Sequence, residues 1–242
     1  MQQSRLDLIA RWGLGSSAAT ALLAAVSFGI AATTPPRTGP FAAPSALIAY
    51  PFDRVARFVP RDFIWLYPTI LMMATFLVLV ICVAHSATGE RRFLGTIAQS
   101  LASISFAVIA ADYFVQLQTV QPALLQAGEA ASMVTLSQYN PHGVFIALEN
   151  LGYLTMALSF AFLGLTLGTS KLERATRRVL LIGSALTVLA FVGMWSYFGL
   201  GLEYRFEVTA IMFDWLTLVV SGVMLALVFR RSTRGAIADS AV

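Results

Sequence analysis

Six apolar stretches, each long enough to cross a lipid bilayer, constrain the fold of this 242-residue chain more than any other feature. About 20 apolar residues span the hydrocarbon core. Inside that core no water is present to bond backbone N–H and C=O groups, so only helices and closed barrels cross it. Runs of this length select helices. They fall at roughly 12–33, 63–87, 93–117, 143–168, 178–200 and 207–229. The chain therefore reads as an all-α integral membrane protein, a single domain built as a bundle of six transmembrane helices. Charged residues make up 12% of it, against roughly 25% in soluble domains, which excludes a soluble globule. Arg5 and Arg11 before the first run also fit a secretory signal. The length of that run favours a retained span.

Lysines and arginines set the orientation. One side of the six spans holds Arg5, Arg11, Arg91, Arg92, Lys171, Arg174, Arg177, Arg178, Arg230, Arg231 and Arg234. The other holds Arg37, Arg54, Arg57, Arg61 and Arg205. Eleven against five puts both termini in the cytoplasm. The expected location is a cell membrane, with a polar inventory consistent with a bacterial cytoplasmic membrane. Because the basic residues sit between apolar runs rather than on one polar face, the net charge of +4 does not point to nucleic acid.

Two outer connections are long. The first, about 34–62, is rich in proline, and Ile48, Phe52 and Val55 alternate in it with Arg54 and Arg57. Such a segment lies on the membrane surface or over the mouth of the bundle. The second, about 118–142, has no lysine or arginine and carries enough apolar residues for a short interfacial helix. Two stretches stand out as local signatures with no chemistry attached: Pro60 to Pro68, and Gln138 to Gly143.

Three acids lie inside the apolar runs: Asp112 in span three, Glu149 in span four and Asp214 in span six. A charge in hydrocarbon costs several kcal/mol unless it faces a partner or water, so such residues are functional candidates. Gln116 lies one turn from Asp112. His142, Glu149 and Tyr153 follow helical spacing, with Asn150 beside them, and Glu207 opens the span that carries Asp214. Under the assigned topology all of these fall in the outer half of the membrane. The expected site is a polar pocket lined by Asp112, Gln116, His142, Glu149, Asn150 and Asp214. The competing structural explanation is that each acid bonds a hydroxyl or amide on a neighbouring helix. The arginines of the outer loops also reach the same mouth, where one of them would make an ordinary ion pair.

Other chemistries are excluded by what the chain lacks. It has no HExxH pair and no histidine set for zinc. It has no Walker A lysine, no Gly-x-Ser-x-Gly elbow and no lysine within a span. Cys82 has no second cysteine to pair with. No metal or cofactor is expected. His85, at the inner end of span two, reads as an interfacial residue. In span one Gly13, Ser17, Ala21, Ala25 and Gly29 recur every fourth position. Small residues on one helix face allow close helix packing, either within the bundle or against a second copy or membrane partner.

Three functions fit this inventory. The first is binding or transport of a proton, a cation or a small cationic ligand at the acid-lined pocket. The second is a non-catalytic subunit of a membrane complex. The third is a cofactor-free acid–base enzyme acting on a lipid or isoprenoid.

Overall fold

The computed structural model describes residues 2–45, 47–50, 52–126 and 129–239. Pro51 of the first outer connection lies outside them, as do the side chains of Arg5 and Arg234. The described residues are helical with no strand. Seven helices are present: α1 (Gln2–Ala32), α2 (Leu66–Ser86), α3 (Arg91–Val115), α4 (Gln121–Leu125), α5 (Val144–Thr166), α6 (Lys171–Phe198) and α7 (Arg205–Asp239). Six helical segments are long and apolar enough to cross a membrane: Asp7–Ala32, Arg61–Ser86, Arg91–Leu125, Val144–Thr166, Lys171–Gly201 and Arg205–Arg231. Large apolar side chains such as Leu22, Leu71, Leu189 and Val223 are exposed, as expected of surfaces that face lipid.

The long helices pack as a closed ring in chain order, with α1 against α7 closing it. α5 is the most enclosed of them and touches α2, α3, α6 and α7. It is fastened to α3 by two hydrogen bonds. Ser105 donates to the carbonyl of Gly152 at 2.7 Å, and Ser159 to that of Ala98 at 2.8 Å. On the small-residue face of α1, Gly13, Ser17 and Ala21 are buried, whereas Ala25 and Gly29 are exposed. The buried part meets α7. A Cβ at Gly13 would overlap the ring of Phe229, and one at Gly222 would come within 2.9 Å of the Ser17 carbonyl.

α1 begins at Gln2 and α7 runs to Asp239, both beyond the expected spans, and two further boundaries differ for local reasons. α6 begins at Lys171 rather than near 178, because Ser170 and Glu173 form a reciprocal capping box. Arg177, expected at a membrane edge, turns back to the end of α5. There it donates to the carbonyls of Gly164, Leu167 and Gly168 at the end of the helix. The third span does not stop near 117. It continues through a wide π turn, Gln116–Val120, into α4 and ends at Leu125. Pro122 accounts for the widening: it has no N–H to offer the Gln118 carbonyl, and its ring crowds that carbonyl.

The first long connection folds into short 3-10 turns at Gly39–Phe41, Asp53–Phe58 and Arg61–Phe63. Ile48, Phe52, Val55 and Phe63 are buried in the core. The segment therefore covers the end of the bundle instead of lying flat beside it.

Candidate functional site

Beneath this cover, α3, α5 and α7 each contribute a carboxyl group to one buried place. Asp112 comes from the last turn of α3 before the π segment, Glu149 from the second turn of α5, and Glu207 from the first turn of α7. Their residue exposures are 2%, 0% and 8%. The carboxyls of Glu149 and Glu207 are close enough to interact directly, and Asp112 acts electrostatically on both. No salt bridge reaches any of the three among the described residues.

Glu149 has one strong donor. The Tyr113 hydroxyl donates to its Oε1 at 2.5 Å. That commits the single phenolic proton, so Tyr153, 2.8 Å away, is the donor to Tyr113. Both tyrosines are fully buried. Tyr113 packs edge-on against Trp65, with ring centroids 5.3 Å apart, and stacks on Phe145 at 5.8 Å. Several buried polar atoms have no hydrogen-bond partner: Oδ2 of Asp112, Oε2 of Glu149, Oδ1 of Asn150, Oδ2 of Asp214 and Nε1 of Trp215. Leaving such atoms unmatched costs free energy, so each marks a place where a proton or a ligand group would be accommodated.

Glu207 also lines a cavity of about 390 Å³ between α1, α7 and the covering loops. The other walls are mainly apolar and aromatic, with Phe28, Trp65, Tyr204 and Ile211. The rim is held by polar contacts. Arg37 pairs with Asp62 at 3.0 Å, with its guanidinium 3.6 Å from the centre of the Phe58 ring. Tyr139 donates to the same carboxylate at 3.2 Å, and Gln138 donates to the backbone carbonyl of Asp62. The two local signatures of the sequence thus meet at this rim. Burial, then the neighbouring Asp62 charge, pushes the Tyr139 phenol well up; burial does the same for Tyr204. Both remain neutral hydroxyls across the physiological range.

The other expected site residues are placed as follows. Asp214 lies seven residues beyond Glu207 on α7 (214 − 207), about 10 Å deeper at 1.5 Å per residue. Its Oδ1 accepts from Thr187 of α6 at 2.6 Å, the hydroxyl partner that a structural role would supply. Gln116 is fully buried but turned to the second connection: it donates to the Leu136 carbonyl and accepts from the Gln138 N–H at 3.0 Å. His142 is exposed and lies 3.9 Å from Glu203 at the surface. Asn150 is partly buried next to Glu149 in sequence. Of the outer arginines, Arg37 pairs with buried Asp62, and among the described residues none pairs with Asp112, Glu149, Glu207 or Asp214. Arg205 meets Glu203, and Arg61 donates to the Thr33 carbonyl. His85 is exposed at its helix end.

The expected site included neither Tyr113 nor Glu207, although Glu207 was placed at the opening of the span that carries Asp214. Glu207 carried a signal, its seven-residue spacing from Asp214 on one helix face. Tyr113 carried none beyond its place beside Asp112. Among the described residues, no group of three His, Cys, Asp or Glu side chains is arranged to hold a metal ion. The arrangement can share a proton between carboxyls, or balance a cation that enters the cavity. The chain matches no family model, no curated protein and no solved structure.

Proposed function

We propose that this is a membrane protein that binds a small organic cation in the cavity beside Glu207 and exchanges it for a proton held by the Glu149–Glu207 pair. The observation that carries the reading is three adjoining buried carboxyls with no basic partner among the described residues, one of which lines an aromatic cavity. Two carboxylates in one dry site cannot both ionise, so the pair shares one proton. A cation arriving beside Glu207 supplies the missing positive charge. The shared proton then leaves to water through the cavity, and the net charge of the site is unchanged. The cavity falls in the range of small-molecule sites, about 300–1,000 Å³. Its aromatic walls suit a quaternary or protonated amine with an apolar body. With both termini in the cytoplasm, the cavity opens on the outer face of a cell membrane, and release on the inner side would make the cycle a transport cycle.

The test uses the full-length protein in lipid nanodiscs, with benzyltrimethylammonium as the cation and neopentylbenzene as its uncharged counterpart. The expected result is binding of the cation alone, weakened at least about tenfold by Glu207→Gln, equivalent to about 1.4 kcal/mol. No binding, equal binding of the neutral compound, or binding unaffected by Glu207→Gln overturns the reading.

A further inference from the structure

The proton-sharing pair is not the deepest acid in the bundle. Asp214 is fully buried in the third turn of α7, and only one of its oxygens is bonded, to Thr187. Its Oδ2 has no partner. A structural acid held only by a threonine hydroxyl leaves this oxygen unexplained. Tyr153 lies within electrostatic range of Glu149, Glu207 and Asp214. Its ring packs on Trp215, the residue after Asp214, at 6.4 Å, and the indole Nε1 there is a second unpartnered buried polar atom. On the other side Tyr153 touches Tyr113, which touches Glu149. Hydrogen bonds thus join Glu149, Tyr113 and Tyr153 at one level and Asp214 and Thr187 at the other, with Tyr153 within electrostatic range of both.

Neighbouring elements add no competing charge. α6 offers Thr187, α5 offers Tyr153, and the described salt bridges all lie at the loop end of the molecule. Closer approach of α6 and α7 is set at Gly183, where a Cβ would overlap Thr217. That contact is one turn from the Thr187–Asp214 bond on each helix, and it fixes the position of the acid.

We infer that Asp214 is a second proton site, and that the tyrosine pair relays protons between it and the Glu149–Glu207 site. The donor order, Tyr153 to Tyr113 to Glu149, fits transfer toward the glutamates. After a cation has left, the proton of Asp214 passes through one water molecule to the Tyr153 oxygen, the Tyr153 proton passes to Tyr113, and the Tyr113 proton passes to Glu149 Oε1. Each tyrosine oxygen gains one proton and gives one up. Asp214 ends as a carboxylate, and the glutamate pair regains its shared proton. The inference rests on the proton-sharing pair of the proposed function and adds a store for its proton inside the bundle.

The test is infrared spectroscopy of the full-length protein in nanodiscs after transfer from H₂O to D₂O. The carbonyl stretch of protonated Asp214 is identified by its loss in Asp214→Asn. The expected result is that this band is present and that Tyr153→Phe slows its deuterium shift about tenfold or more, a barrier rise of about 1.4 kcal/mol. Thr187→Val should move the frequency of the band without slowing the exchange. Tyr113→Phe interrupts the same chain one step earlier and provides the reading if Tyr153→Phe does not fold. Absence of the band, or an unchanged exchange rate in the tyrosine variants, overturns the relay. Binding of benzyltrimethylammonium to the unaltered protein is measured beside it. Its failure removes the cation pocket, whereas failure of the exchange test alone removes only the relay.

Discussion

Replacing Tyr113 by phenylalanine isolates one hydroxyl at the centre of the carboxyl cluster. The ring contacts with Trp65 and Phe145 are kept, so the change in stability reports the hydrogen bonds alone. An interhelical hydrogen bond inside a membrane is worth about 0.6 kcal/mol, with a ceiling of about 1.7. The larger effect is on what remains. Glu149 Oε2 is already unpartnered, so loss of Tyr113 leaves both of its oxygens without a phenolic donor. A buried acceptor left unmatched adds about 1–3 kcal/mol. Together these give about 2–3 kcal/mol for Tyr113→Phe. Tyr153→Phe removes only the bond between the two tyrosines, so it should cost about 0.6 kcal/mol.

The assay is reversible unfolding in mixed micelles by a denaturing detergent, followed by helical circular dichroism. A double-mutant cycle with Glu149→Leu completes it, because contacting residues are the ones whose effects fail to add. With the carboxyl gone, Tyr113→Phe should cost less than about 1 kcal/mol. If it costs as much in that background as in the unaltered protein, the Tyr113–Glu149 bond is not what holds the cluster. Equal costs for Tyr113→Phe and Tyr153→Phe would refute the assignment of donors.

Other parts of the molecule lead to separate expectations. Gly222→Val introduces a Cβ within 2.9 Å of the Ser17 carbonyl, a backbone atom that moves only if α1 moves. It should destabilise by at least about 1–3 kcal/mol in the same unfolding assay, with Gly29→Ala, where a Cβ meets nothing, as the silent control. Gln116→Leu frees the Leu136 carbonyl and the Gln138 N–H, so deuterium exchange of the amides from 134 to 140 should rise while that of α5 stays low. Arg37→Gln leaves the Asp62 carboxylate buried with only Tyr139 and should lower stability by about 3 kcal/mol, read as a fall in the unfolding midpoint.

Much of this architecture was legible in the sequence because hydropathy and length act on each helix separately. Six apolar runs correspond to six helical segments long and apolar enough to cross a membrane. The misjudged ends have local causes. Arg177 and Arg178 suggested a membrane edge, yet the Ser170–Glu173 box begins α6 before them. The apolar run of span three ends near 117, yet a π turn carries the helix on to Leu125.

The spacing of acids along one helix was readable, since rise per residue is fixed. Direction and partner were harder to read. His142 shares helical spacing with Glu149, but α5 starts only at Val144, so that spacing does not apply to it. Gln116 bonds backbone groups of a distant connection, which no side-chain pattern encodes. Glu207 was visible at the mouth of its span, but only the packing of α7 beside α5 brings it against Glu149.

The exchange of a cation for a proton at Glu207 is tested most directly by calorimetry. Benzyltrimethylammonium is titrated into the nanodisc-embedded protein in two buffers of different ionisation enthalpy. The predicted result is a buffer-dependent heat corresponding to release of about one proton per cation bound, abolished in Glu207→Gln. Heats that are the same in both buffers, or proton release that survives Glu207→Gln, would contradict it.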